Sequence, residues 1–241
     1  MRAISPLYFA FTLQIYSGSY PQPGEISLAH NGVLFLDEMP EFKRTVLEVM
    51  RQPLEDHEVT ISRARFTVNY PASFMLVASM NPSPSGFFPD DPNNTSSVYE
   101  MQRYMNKLSG PLLDRIDIHI EVQKVEFEQL SEKRKGEKSK DIRNRVLKAR
   151  DIQNKRYQNL SISSNAQIGP KEIEAFCELD EASFGLIKLA MEKLNLSARA
   201  YDRILKVART IADLEESDNI LSSHISEAIQ YRSLDREFWN G

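Results

Sequence analysis

Cysteine is nearly absent from this sequence. The one residue, Cys177, excludes an intramolecular disulfide and any cysteine-rich metal site. It stands in the spacing Ile173, Phe176, Cys177, which predicts a small buried residue. Glycine is scarce, nine in 241 residues, and none is followed by lysine. The phosphate-loop pattern G-x-x-x-x-G-K-[ST] therefore cannot be written anywhere in this stretch. No run reaches the roughly 18 apolar residues of a membrane span. Leu7 to Ile15 behind Arg2 resembles the apolar part of a signal peptide. Thr12 and Gln14 interrupt it and no small-residue cleavage site follows, so the expectation is a cytoplasmic chain without a membrane partner.

What is present fits an ordinary soluble protein: 41% hydrophobic and 27% charged residues, with room for a medium domain and a small one. Net charge is only −4, but it is unevenly spread. Residues 132–156 hold eleven Lys and Arg against four acids, a local +7 that leaves −11 elsewhere. Two readings stand for that segment, a contact with a polyanion or a solvated helix face.

The two halves differ in texture. Val33–Leu36 is a continuous apolar run between Gly32 and Asp37, Phe74–Ala78 is another closed by Asn81-Pro82, and Ile116–Val122 is a third. Such runs suit a parallel sheet covered on both faces. Phe42 to Met50 predicts a helix stopping near Pro53, and Val59–Ile61 with Phe66–Val68 predicts a hairpin turning at residues 62–65. Residues 82–97 carry four prolines and Asn93-Asn94, the composition of a long loop. Beyond about residue 128 the spacing is helical: Ile142, Val146, Ala149; Phe184, Ile187, Met191; Ile204, Leu205, Ala208, Ile211. Ser222-Ser223 predicts an N-cap before Ile225, and residues 165–238 predict a small helical bundle.

Four constellations carry chemistry. A buried strand that ends in Asp37-Glu38 places two carboxylates in the crevice at the C-terminal edge of an α/β sheet. There one can hold Mg²⁺ through water while the next orients or deprotonates an attacking water. The alternative is a strand that simply exits into solvent. Asn81 follows the neighbouring strand, where a neutral amide can bond the water or a terminal phosphate, or merely start a turn. Arg115, inside Leu113-Asp114-Arg115-Ile116-Asp117, can reach a partner subunit's phosphates or pair with Asp114 or Asp117. Arg199, in Ser197-Ala198-Arg199-Ala200-Tyr201, can clamp phosphates from the start of a lid helix, although Arg203 and Arg209 share that helix.

The order and wording of these segments resemble magnesium-chelatase-like AAA+ ATPases. The resemblance rests on Pro23–Gly32 leading into Val33–Glu38, on Thr60–Ala64, Met80-Asn81-Pro82, Gly110–Asp117 and Ser197–Tyr201, and spans about Gly18 to Tyr231. Nearest are the members of competence protein ComM type, hexameric motors that act on DNA. The resemblance implies Walker B for Asp37 and Glu38, sensor 1 for Asn81, an arginine finger for Arg115 and sensor 2 for Arg199. It also implies a pore-facing hairpin with Arg63 and Arg65 as DNA contacts, ATP and Mg²⁺ as cofactors with Asp37 on the metal, a homo-oligomeric hexameric ring, and single-stranded or branched DNA as partner. The family's phosphate loop lies upstream of these motifs, so this stretch alone is expected to bind ATP weakly or not at all. Many relatives carry cysteines around and after sensor 1, where this sequence has Ser79, Ser83 and Ser85.

The expected fold class is α/β: a partial AAA+ P-loop NTPase core, a parallel sheet with a hairpin before sensor 1, followed by an all-α lid domain. Residues 1–16 match nothing in that pattern, 17–127 form the core, 128–164 a basic helical connector and 165–241 the lid. Two further functions remain open beside a DNA-remodelling ATPase: a non-catalytic DNA-binding or interaction module, and a metal-inserting chelatase motor.

Overall fold

The computed structural model describes residues 2–4, 22–63, 66–122 and 136–232. The chain divides into two compact units, Met1–Ile116 and Asp117–Gly241, a division that falls before the expected core boundary at residue 127.

In the first unit a three-stranded parallel sheet runs β1 (Arg2–Ile4), β2 (Val33–Leu36), β5 (Met75–Ala78), with β2 central. The stretch without family resemblance thus contributes an edge strand, Arg2 opposite Leu34 and Ile4 opposite Leu36. Leu34 and Leu36 are fully buried, as the period of a strand with one face on the core requires. Phe42, Leu47, Met50, Leu108 and Leu112 of the same unit are buried as well. The expected cover on both faces is not found at β5: Met75 is 62% and Val77 39% exposed. Its register with β2, Val33 opposite Met75 through Leu36 opposite Ala78, brings the two strand ends level.

Helix α1 (Glu25–Leu28) precedes β2, a 3₁₀ turn (Met39–Glu41) follows it, and then come α2 (Arg44–Val49) and α3 (Arg51–Asp56). The helix does not stop near Pro53. Pro53 is the third residue of α3, where a backbone N–H has no intrahelical acceptor and the proline ring costs nothing. The stop is His57, in the left-handed region at φ 57°. The hairpin is confirmed but tighter and longer than expected. Strands β3 (Glu58–Arg63) and β4 (Phe66–Pro71) pair antiparallel from Glu58–Pro71 to Arg63–Phe66, so Ser62 and Arg63 belong to the ladder.

Between β5 and α4 (Val98–Met105) lies the long loop. Buried Ser83 donates to the Phe87 carbonyl at 2.7 Å and Ser85 to Asn94 Oδ1 at 2.8 Å, so serines tie this loop together. Ser97 and Glu100 form a reciprocal capping box at the start of α4, with bonds of 3.2 and 2.8 Å. The short helix α5 (Gly110–Leu113) ends the unit. Ile116–Val122, expected as a strand, is not one. Ile118, Ile120 and Val122 are exposed, and no described strand lies beside them to complete a ladder.

The second unit is helical: α6 (Ser139–Arg156), α7 (Pro170–Phe176), α8 (Glu181–Leu194), α9 (Ala198–Leu214) and α10 (Ser222–Gln230). Helix α9 is the centre. Ala200, Ile204, Ala208, Ile211 and Ala212 are buried on one stripe and pack with Ile187, Ile225 and Ala228. The basic helix α6 packs on α9: Ala149 is buried and Tyr157, just beyond its end, enters this core, while its first turns through Lys148 are exposed. The N-cap of α10 is Leu221, not Ser222. Its N–H donates to His224 Nδ1 at 3.0 Å, which leaves Nε2 to carry the proton and donate to Glu215 at 2.9 Å. Cys177 is buried as expected, and burial pushes its thiol up to about 11, the state of an inert packing residue.

Candidate functional site

Asp37 and Glu38 leave the end of β2, and Ser79 leaves the end of β5 beside them. Ser79 joins the two strand ends by four bonds. Its N–H donates to the Leu36 carbonyl (2.9 Å) and its carbonyl accepts from Met39 N–H (2.8 Å). Its hydroxyl donates to Asp37 Oδ1 at 2.5 Å and accepts from Glu38 N–H at 3.2 Å. One Asp37 oxygen is thereby fixed, and the exposed carboxylate keeps its other oxygen for a further partner. Sequence reasoning passed over Ser79 as a donor. Its signal was its place as the first polar residue after an apolar strand.

Glu38 sits at φ 52° and ψ 52°, left-handed backbone that a non-glycine residue adopts at a cost of about 1–2 kcal/mol. Strain of this kind persists where surrounding bonds over-determine it, and here the Ser79 bonds on either side of Glu38 do so. The turn lifts the Glu38 side chain into solvent instead of continuing the strand.

Asn81 lies two residues beyond Ser79, with an exposed side chain that makes no hydrogen bond among the described residues. Its backbone carbonyl accepts from the Tyr104 hydroxyl at 3.3 Å. The side chain therefore does not close an Asx turn on its own backbone, which removes the usual work of an Asn-Pro turn initiator.

Arg115 is 8% exposed. Its guanidinium donates to the Pro111 carbonyl (2.6 Å) and pairs with Glu55 of α3, not with Asp114 or Asp117. Asp117 is instead held by Arg203. To reach any other partner Arg115 must release Glu55. The partner was not legible because Glu55 lies 60 residues away in sequence.

Arg199 is in the first turn of α9, whose N-cap Ser197 accepts from Ala200 N–H at 3.2 Å. The structure separates the three arginines of that helix. Arg203 is paired with Asp117 and Arg209 is buried against Asp213, whereas Arg199 is exposed and makes no ion pair or hydrogen bond among the described residues. Arg63 is the last residue of β3, and Arg65 lies outside the described residues.

Among the described residues no three His, Cys, Asp or Glu side chains gather into a ready-made metal cage. A single exposed carboxylate beside a hydroxyl is the oxygen-only, sparse donor set that suits Mg²⁺, which keeps several waters and takes one or two protein ligands. No described helix is long and apolar enough to cross a membrane.

A parallel sheet with adjacent carboxylates after its central strand, a hairpin before the next strand and a helical unit later in the chain suit a magnesium-chelatase-type, AAA-like region with its C-terminal domain. Residues 12–130 match the family "Magnesium chelatase, subunit ChlI", and residues 136–232 match "Magnesium chelatase, subunit ChlI C-terminal". The first match begins inside the segment, residues 1–16, that carried no resemblance. The chain belongs to the magnesium-chelatase ChlI-like family. It is 49% identical over 220 residues to competence protein ComM of Haemophilus influenzae, covering 91% of this chain and 42% of that protein. To protein YifB of Escherichia coli it is 44% identical over 228 residues, covering 94% of this chain and 44% of that protein. The chain thus spans less than half the length of the curated relatives it matches.

Proposed function

We propose that this chain carries the hydrolytic strand end and the lid of an ATP-driven motor that remodels DNA. The observation that carries the reading is the bonded end of β2 and β5, where Asp37 is oriented by Ser79 and Glu38 is held strained and exposed. In this reading Asp37 holds Mg²⁺ through water, and the ion when bound neutralises phosphate charge. Glu38 takes the proton of the attacking water, and Asn81 orients that water or the terminal phosphate. Arg115 serves a neighbour's nucleotide in a ring, Arg199 reports nucleotide state to the lid, and Arg63 with Arg65 contacts the DNA backbone. Family membership supports ATP and Mg²⁺ use, and the name of the Haemophilus relative, a competence protein, suits work on DNA.

The test uses a protein extended upstream to include a Gly-Lys-Ser/Thr loop. Glu38→Gln keeps the side-chain shape and loses the base. It should abolish turnover with ATP binding largely intact, while Asp37→Asn should also weaken Mg²⁺-dependent binding. Hydrolysis by Glu38→Gln at the parental rate would remove Glu38 from its role. A second reading, a non-catalytic DNA-binding module, is favoured by one observation: residues 132–156 hold eleven Lys and Arg against four acids, a basic stretch suited to a polyanion. DNA binding by the extended protein with no ATPase activity would decide for it. Metal insertion, the third possibility, predicts turnover that does not respond to DNA.

A further inference from the structure

On α4 and α2 the first unit carries an open hollow lined by Arg44, Tyr99, Gln102, Arg103, Asn106 and Lys107, the last of these 3.7 Å from Glu41 of the 3₁₀ turn that follows Glu38. Four of these come from one helical stripe. Tyr99, Gln102, Arg103 and Asn106 follow each other at the i, i+3, i+4, i+7 spacing that puts side chains on one face of α4 and its end. The opposite face, Tyr104, Met105 and Leu108, is buried. Arg44, the first residue of α2, closes the other side.

The chemistry of this stripe is unspent. Among the described residues Arg44, Tyr99, Gln102, Arg103 and Asn106 make no side-chain hydrogen bond or ion pair. Lys107 is partly engaged, 3.7 Å from Glu41 and 5.7 Å from the Tyr104 ring centre. Tyr99 is 72% exposed, an aromatic ring left in water by a helix that buries its other tyrosine. Two unpaired guanidiniums and an ammonium form an anion site, two amides add donors and acceptors, and the free ring offers a stacking face. The ligand that uses all three is a phosphate joined to a flat heterocycle.

We propose that this hollow binds a nucleotide unit, with phosphate on Arg44, Arg103 and Lys107 and the base laid on Tyr99. The unit comes either from a single strand or from a free nucleotide. Neither Asp37 nor Glu38 lines the hollow, and the proposal does not depend on their role.

The test places its reporter in the hollow. In the full 241-residue chain the only tryptophan, Trp239, is replaced (Trp239→Phe), and Tyr99→Trp is introduced. The probes are oligo-dT of about 12 nucleotides, an abasic oligomer of the same length, free TTP and inorganic phosphate. Stacking should quench the tryptophan with oligo-dT or TTP and not with the abasic oligomer or phosphate. Adding Arg44→Ala and Arg103→Ala should weaken the quenching titration about tenfold and flatten its log–log salt dependence. Quenching by oligo-dT alone assigns a strand, and equal potency of TTP per nucleotide assigns a free nucleotide. In the natural background, Tyr99→Ala should weaken oligo-dT binding about tenfold with Tyr99→Phe retaining it. Absence of quenching by both oligo-dT and TTP overturns the proposal. So does a titration that the two arginine substitutions leave unchanged. Because the signal arises in the hollow, DNA held elsewhere or a missing ATPase activity does not alter it.

Discussion

Asp213 accepts four hydrogen bonds from three side chains. Arg156 gives it two bonds, 2.8 and 2.5 Å, Arg209 Nε one at 3.1 Å and Asn165 one at 2.8 Å, with the side chain fully buried. Burial pushes its pKa up, but the bonds from Arg156 and Asn165 and the two guanidinium charges outweigh that and hold it below the ordinary carboxyl value. A carboxyl depressed on folding contributes stability above its unfolded pKa of about 3.9 and loses it as pH falls through the folded value. The helical unit should therefore lose stability on the acid side of about pH 4, followed by circular dichroism in denaturant. Asp213→Asn should flatten that acid limb and cost about 3–5 kcal/mol at neutral pH, because both guanidiniums stay buried without their counter-charge. Arg115 makes the milder case. Its partner Glu55 is 49% exposed, so Arg115→Ala should destabilise the first unit by only about 1–2 kcal/mol in a denaturant melt.

At the scale of elements, local chemistry decided most of the outcome. The helices of the second unit follow apolar spacing, and α9 in particular starts where Ser197 supplies a cap. Ser197→Ala should cost about 1 kcal/mol of that unit's stability and loosen the turn bearing Arg199, read by melting and by amide exchange at Ala200. The strand β2, the hairpin and the carboxylate pair were legible because each is written in contiguous residues. What was not legible depends on partners distant in sequence. Ile116–Val122 has the composition of a strand but no described neighbour to pair with. Pro53 reads as a stop until its position in the first turn of α3 is known. Ser79 acquires a role only when register places it beside Asp37, and Arg115 finds Glu55 across the fold. The polar set around Asp213 joins α6, α9 and the turn at Asn165, three segments whose meeting no periodicity announces.

At the scale of the whole molecule, the proposed motor makes a demand on Arg115 that one chain cannot meet. Within the first unit its guanidinium is spent on Glu55 and Pro111, and Glu38 stands at a separate strand end. If Arg115 serves a neighbour's phosphates, the two residues act in the same reaction from different subunits. Two inactive proteins, extended upstream as above, should then complement. In rings mixed at equal amounts from Arg115→Ala and Glu38→Gln subunits, about a quarter of the interfaces unite an intact Glu38 with an intact Arg115. Steady-state ATPase activity should recover to that order, and it should fall again when either parent is in large excess. Glu55→Gln in the wild-type background should raise activity or lower the KM for ATP, because the pair that must open is weaker. Mixed rings, verified by differently tagged subunits, that stay inactive would assign Arg115 to its bond with Glu55 and to holding α3 and α5 together within one chain.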